Sequence, residues 1–245
     1  MSNILRFKSN PITDYLTENW EIIRDEYFNF HLENTFLDFR EINGLSNTPN
    51  AIVKRKTYKN TIEEKSFFVG DLYSTGLYVH TNSVGSAEKE KMNWGDHEVE
   101  RIYEKTIIGM PTIGAWVKKY YKFTTLILFH TAQPGVWIAH HYGLDSNAYN
   151  VRCHLGLDDD PLCEFDLENE RYVWKNGDLI GFKDGYVYHG VRHLGTKPRT
   201  ILLFDMDYQL LKPYIVNDPS PYKYENPFVS RKDRVIPEIT NWTKD

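Results

Sequence analysis

The chain has 245 residues, 41% apolar and 15% aromatic, which is ample material for a sizeable core and excludes disorder as its main state. With 29 Lys+Arg against 34 Asp+Glu the formal charge is −5, a poor basis for general nucleic-acid affinity. No apolar run approaches the roughly 20 residues of a spanning helix. The first seven residues lack the apolar stretch of a signal peptide. Two cysteines, Cys153 and Cys163, suggest no disulfide framework, so a cytoplasmic setting is expected.

Leu16, Trp20, Ile23, Tyr27 and Phe30 fall at helical spacing and predict one helix, capped by Thr13 or Asp14 after Pro11. A second short helix is expected over residues 36–42, followed by a loop at 44–50. Residues 66–69 and 76–79 read as strands, and 83–96 as a charged connection with a short helix at 87–92. From Lys105 to Tyr208 short strands and turns alternate. The strands are expected at 124–131, 135–140, 150–157, 162–167, 171–174, 178–183, 188–193 and 199–207. Many short strands with regular turns argue for a sandwich or barrel. The proline-rich residues after Leu211 predict an extended tail.

Six of nine histidines lie between 130 and 193, and imidazole suits iron, zinc, copper and nickel. In residues 150–157 the apolar Val151, Cys153, Leu155 and Leu157 alternate with Arg152, His154 and Gly156. A period of two puts the second set on one face, the signature of a barrel with a polar interior. Gly156 weakens the strand, as though space were needed beside it. His189 and Arg199 are ten residues apart, close enough for one hairpin to place both in that pocket. A guanidinium there suits a carboxylate through paired hydrogen bonds. Asp184 at a strand end is explained by turn chemistry. Asp205 shares the Arg199 face, and Trp174 reads as core or pocket wall.

These residues resemble the aspartyl/asparaginyl β-hydroxylase family of iron(II)/2-oxoglutarate-dependent oxygenases. The resemblance is carried by Met110-Pro111-Thr112, by Pro134-Gly135 followed by His141-x-Gly143, and by Asn147 with Arg152-Cys153-His154-Leu155-Gly156-Leu157. Trp174-x-x-Gly177, Phe182-x-Asp184 and His189-x-Val191 continue it, and Asn19 to Arg24 is similar to the helix that opens many members. Two residues more than usual separate His141 from His154, and the strand Leu162-Cys163-Glu164-Phe165 lacks the arginine that many members carry there.

The resemblance implies a mainly β fold with flanking helices. Residues 1–104 would form a helical, substrate-side region, 105–210 a double-stranded β-helix (jelly-roll, cupin-like) core, and 211–245 a C-terminal extension, all in one structural domain. It implies that His154 and His189 ligate iron(II), with Gly156 at the place of the usual carboxylate ligand. Arg199 would hold the distal carboxylate of 2-oxoglutarate, with His141, Arg152 and Asn147 adding polar contacts. With O2, the reaction would hydroxylate an unactivated C–H bond of a small-molecule or amino-acid-type substrate, giving succinate and CO2. The alternatives are a halogenase with chloride beside Gly156, a non-catalytic cupin-like binding protein, and a metallo-hydrolase with a third imidazole from His130, His141 or His193.

Overall fold

The computed structural model describes residues 2–33, 37–38, 52–55, 58–59, 66–80, 100–142, 150–168 and 170–217. The expected loop at 44–50, the connection at 83–96 with its short helix, Asn147 and the tail beyond 217 lie outside these residues. So does most of the expected second helix, but Leu37–Asp38 within that span pair as strand rather than helix.

Helix α1 (Thr13–Glu18) and helix α2 (Trp20–Glu33) occupy the expected helical stretch, divided at Asn19. The Asn19 amide donates to the Tyr15 carbonyl at 2.8 Å, offering that carbonyl a side-chain donor. The start of α1 is capped by neither Thr13 nor Asp14. Instead the Asn10 side chain accepts from the Ile12 and Thr13 amides, both at 3.0 Å, satisfying donors that an unprotected helix end leaves open.

The strands form two sheets. One runs β1 (Leu37–Asp38), β2 (Ile52–Arg55), β5 (Leu72–His80), β7 (Thr124–Ala132), β14 (Arg199–Asp207), β9 (Asn150–Asp158), β12 (Leu179–Phe182), with β6 (Glu100–Ile102) also on β5. The other runs β11 (Glu170–Val173), β10 (Cys163–Leu167), β13 (His189–His193), β8 (Trp137–His141), β4 (Ser66–Val69), β3 (Tyr58–Lys59). Every strand expected between 124 and 207 is present within a residue or two of its limits. The sheets also take in β4 and β5, from before residue 105.

Residues 104–120 depart from expectation. They form α3 (Glu104–Gly109) and α4 (Pro111–Tyr120), not strands. Ile113, Trp116, Val117 and Tyr120 sit at helical spacing and all are buried against the eight-stranded sheet. Pro111 opens α4, where its missing N–H is no loss. Glu26 of α2 then accepts from the Thr112 amide at 3.0 Å and the Thr112 hydroxyl at 2.7 Å. A carboxylate at a helix start also meets the positive end of the helix dipole. Glu26→Ala is therefore expected to cost about 1–2 kcal/mol, read as a lower urea midpoint with an unchanged slope.

Strand β14 shows how the layers are built. Leu202, Phe204 and Met206 face the helices and pack with Ile23, Tyr27, Trp116 and Val117. Ile201 and Leu203 face inward, against Phe165, Trp174, Ile180 and Phe182. The period of two therefore places Arg199 and Asp205 inside with Ile201 and Leu203. Where α2 crosses this sheet a polar seam is buried. Tyr27 Oη lies 2.6 Å from Thr131 Oγ1, which lies 2.9 Å from Thr200 Oγ1, and His31 Nε2 lies 2.8 Å from Thr75 Oγ1.

Burial lowers the His31 pKa from 6.5 to about 4. The folded state thus resists a proton that the unfolded chain accepts, so the stabilising contribution is complete above pH 6.5 and lost as pH falls toward 4. His31→Gln is expected to reduce the fall in unfolding midpoint between pH 7 and 5, relative to the native chain.

Candidate metal and cosubstrate site

The pocket is built on the inner faces of β8, β9, β13 and β14 and on the turn leading into β13. His189 opens β13 and lies opposite His141 of β8 in the strand register. Their rings are 4.4 Å apart, centroid to centroid. His140 points the other way, with Nε2 3.2 Å from Asp166 Oδ2. A register irregularity in this strand pair, between His189 and Val191, accompanies the inward placement of His141.

The two inward imidazoles are oriented alike. His141 Nδ1 lies 2.8 Å from the Ala139 carbonyl and His189 Nδ1 2.7 Å from the Val187 carbonyl. A carbonyl can only accept, so each Nδ1 carries a proton and Nε2 is the nitrogen that could ligate. His189 Nε2 is also 3.2 Å from Asp184 Oδ1. Acceptors thus stand at both nitrogens of His189, so a proton or a cation has to lie between Nε2 and Asp184 Oδ1. Burial, then the neighbouring His189, lowers the His141 pKa from 6.5 to about 3, so this ring stays neutral and able to ligate.

Asp184 in turn takes part in a buried ion network. Arg152 donates through Nη1 to Asp184 Oδ1 at 2.8 Å, and through Nε and Nη2 to the two Asp205 oxygens, each at 2.7 Å. Burial opposes the Arg152 charge, but Asp184 and Asp205 hold it protonated, above its ordinary value. Arg152, expected to contact a cosubstrate, is instead committed to two carboxylates. Asp184 was explained above as turn chemistry. It is buried and continues the inward alternation of Ile180 and Phe182, a two-residue period that was available to identify it.

His154 lies on the predicted face with Arg152, while Cys153 packs on the helix side. Its ring stands 5.2 Å from Phe182, 5.4 Å from Phe165 and 5.9 Å from Trp174. Phe165 and Phe182 flank His189 as well, and the imidazole packed against His189 is His141. Burial, with help from Arg152 and Arg199, holds His154 well below its ordinary pKa. Both of its ring nitrogens are buried and lack a hydrogen-bond partner among the described residues.

Gly156 does not provide the space expected beside it. A Cβ there would overlap the Lys175 carbonyl. Its N–H donates to Asp178 O at 3.0 Å, and its carbonyl accepts from Gly177 N at 2.8 Å. Backbone therefore fills the position assigned to a missing carboxylate or to chloride, and glycine is required for that close approach. Gly177 serves packing too: at φ 74° it lies so close to Trp20 that a Cβ would clash with the indole.

Arg199 is 2% exposed and stacks on Trp174, its guanidinium carbon 4.1 Å from the ring centroid. Nε donates to Cys163 Sγ at 3.5 Å, and Nη1 is buried without a partner among the described residues. The turn before Arg199 is tied by Asp160, whose carboxylate accepts from the Leu162 amide at 2.9 Å and the Thr196 and Lys197 amides at 3.1 Å. Among the described residues no group of three His, Cys, Asp or Glu side chains is disposed to hold a metal ion, so the third imidazole of the hydrolase alternative is not supplied there. Nor does any described helix have the length and apolarity to cross a membrane.

Two facing sheets of short strands, with helices on one outer face and histidines and a buried arginine inside, define a double-stranded β-helix protein of cupin-like class. A model of the aspartyl/asparaginyl beta-hydroxylase family matches residues 80–208, more than half of the chain. The chain belongs to that family. It is also similar to the human aspartate beta-hydroxylase domain-containing protein 2, at 33% identity over 76 residues, covering 30% of this chain and 20% of that protein. Among solved structures it is similar to a predicted oxalate decarboxylase from Thermotoga maritima (TM-score 0.36, 13% identity, 64% of this chain and 93% of that one). Another is a cupin 2 conserved barrel domain protein from Rhodopseudomonas palustris (TM-score 0.34, 10% identity, 64% and 71%).

Proposed function

We propose that the chain is an iron(II)- and 2-oxoglutarate-dependent dioxygenase that hydroxylates a C–H bond of a small-molecule or amino-acid-type substrate, with His141 and His189 holding the metal. The pair of imidazoles 4.4 Å apart, each with Nδ1 tied to a carbonyl, is the observation that carries this reading. Such ties fix ring orientation and leave Nε2 as ligand. The acceptor–acceptor contact of His189 Nε2 with Asp184 fits a bound cation. This pairing of His141 with His189 differs from the pairing of His154 with His189 that the resemblance implies.

Each residue then has a task. Arg199 binds the distal carboxylate of the cosubstrate through its unpartnered Nη1, because a buried guanidinium without an anion is costly. His154 lies beside it with two unpartnered nitrogens, suited to the polar groups of the same molecule. Arg152 holds Asp184 in place against His189. Phe165, Phe182 and Trp174 form an apolar wall that keeps bulk water from the metal edge of the pocket. Iron(II), when bound with 2-oxoglutarate and O2, supplies the oxidising chemistry, which protein side chains cannot.

Anaerobic addition of iron(II) and then 2-oxoglutarate tests this reading. A weak visible charge-transfer band that requires both additions is expected. Absence of the band at saturating concentrations of both contradicts it.

A further inference from the structure

Three side chains around one spot have buried polar nitrogens without a partner among the described residues: Arg199 at Nη1, His154 at both ring nitrogens, and Trp174 at Nε1. Arg199 and His154 already have a task in the proposed chemistry, but the indole N–H has none. Trp174 is 1% exposed, and its ring lies near both of the others, 4.1 Å from the Arg199 guanidinium carbon and 5.9 Å from the His154 ring. An indole nitrogen can only donate. Leaving such a donor buried and unpaired is destabilising, and buried indoles ordinarily find an acceptor. The other groups contribute further donors: a guanidinium cannot accept, and each neutral imidazole carries one N–H. Against these donors the spot offers a single acceptor, the bare nitrogen of a neutral His154, and its one fixed charge is positive.

We infer that Trp174 is a cosubstrate-binding residue, its indole N–H donating to the carboxylate that Arg199 binds. The inference rests on the proposed use of this pocket for 2-oxoglutarate. Trp174 then has two functions. Its face supports the guanidinium by stacking, which restricts the rotamers of Arg199, and its edge supplies a neutral donor to the same anion. A phenylalanine would keep the first function and lose the second.

The test uses the full chain loaded with zinc, which is diamagnetic and does not turn over, and compares the native protein with Trp174→Phe by calorimetric titration. Two probes are used: 2-oxoglutarate, and 2-oxobutyrate, which keeps the keto-acid group and lacks the distal carboxylate. Trp174→Phe is expected to bind 2-oxoglutarate about tenfold more weakly or worse, with 2-oxobutyrate and zinc bound as tightly as before. Equal affinity of the two proteins for 2-oxoglutarate overturns the inference while leaving the pocket assignment intact. Equal losses for both keto acids overturn it also, since the effect would then lie away from the distal carboxylate. Failure of the native protein to bind 2-oxoglutarate overturns the pocket assignment itself. A measurement on the native chain covers the case in which Trp174→Phe does not fold. The Trp174 indole ¹⁵N–¹H resonance, assigned through the backbone, is expected to move downfield with 2-oxoglutarate and not with 2-oxobutyrate. An unmoved resonance at saturation overturns the inference.

Discussion

Arg152→Leu is expected to destabilise the fold by about 3–5 kcal/mol, because it leaves Asp184 and Asp205 buried without their counter-charge. Burial already pushes the Asp205 carboxyl above its ordinary range, with Arg152 pulling the other way. Without Arg152 that push is opposed only by the smaller effect of His189. A raised folded-state carboxylate pKa favours the folded state at low pH and disfavours it as pH rises past the unfolded value. The stability gap between Arg152→Leu and the native chain should therefore narrow from pH 8 to pH 5. Adding Asp205→Leu should recover part of the loss, since the pair is then replaced by apolar groups of similar volume. Urea unfolding of the single and double variants measures this. A loss below about 1 kcal/mol for Arg152→Leu would show the network to be hydrated and weak.

Arg199→Met is expected to do the opposite to stability while removing function. The variant keeps an unbranched stem against Trp174 and removes a buried charge whose Nη1 has no partner among the described residues. Without cosubstrate, its unfolding midpoint should equal or exceed that of the native chain, as expected where a site holds a charge for a ligand at the expense of stability. Its affinity for 2-oxoglutarate should fall about a hundredfold or more, because the distal carboxylate loses its charged partner. The paired readout is diagnostic: a structural arginine would lose stability on replacement.

Much of this arrangement was legible because strand chemistry is local. Alternation in β9 separated Cys153 from His154 and put Arg152 on the pocket face, as the structure bears out. The strand limits between 124 and 207 followed from turns such as Asn176-Gly177 and Gln133-Pro134-Gly135. Helices α3 and α4 were missed, although Ile113, Trp116, Val117 and Tyr120 carry the helical period.

The partner of His189 could not be read locally at all. His140 and His141 are adjacent, and which one faces inward is set by the register of β8 against β13, a long-range property. The His154-x-Gly156 pattern suggested an open ligand position, yet it arises from a non-local crossing of residues 175–178 over the strand. Asp184 illustrates a further gap. A carboxylate in a turn has a sufficient local explanation, and only the tertiary fold brings Arg152 and His189 to it.

The central claim is that the metal belongs to His141 and His189, with His154 in the cosubstrate pocket. Iron(II) affinity without 2-oxoglutarate, measured anaerobically by equilibrium dialysis on His141→Ala, His189→Ala and His154→Ala, tests it most directly. Losing one of two imidazole ligands should weaken binding about a hundredfold or more in the first two variants, whereas His154→Ala should stay within a few-fold of the native chain and lose 2-oxoglutarate affinity instead. Loss of iron from His154→Ala, with His141→Ala binding it normally, would contradict the account.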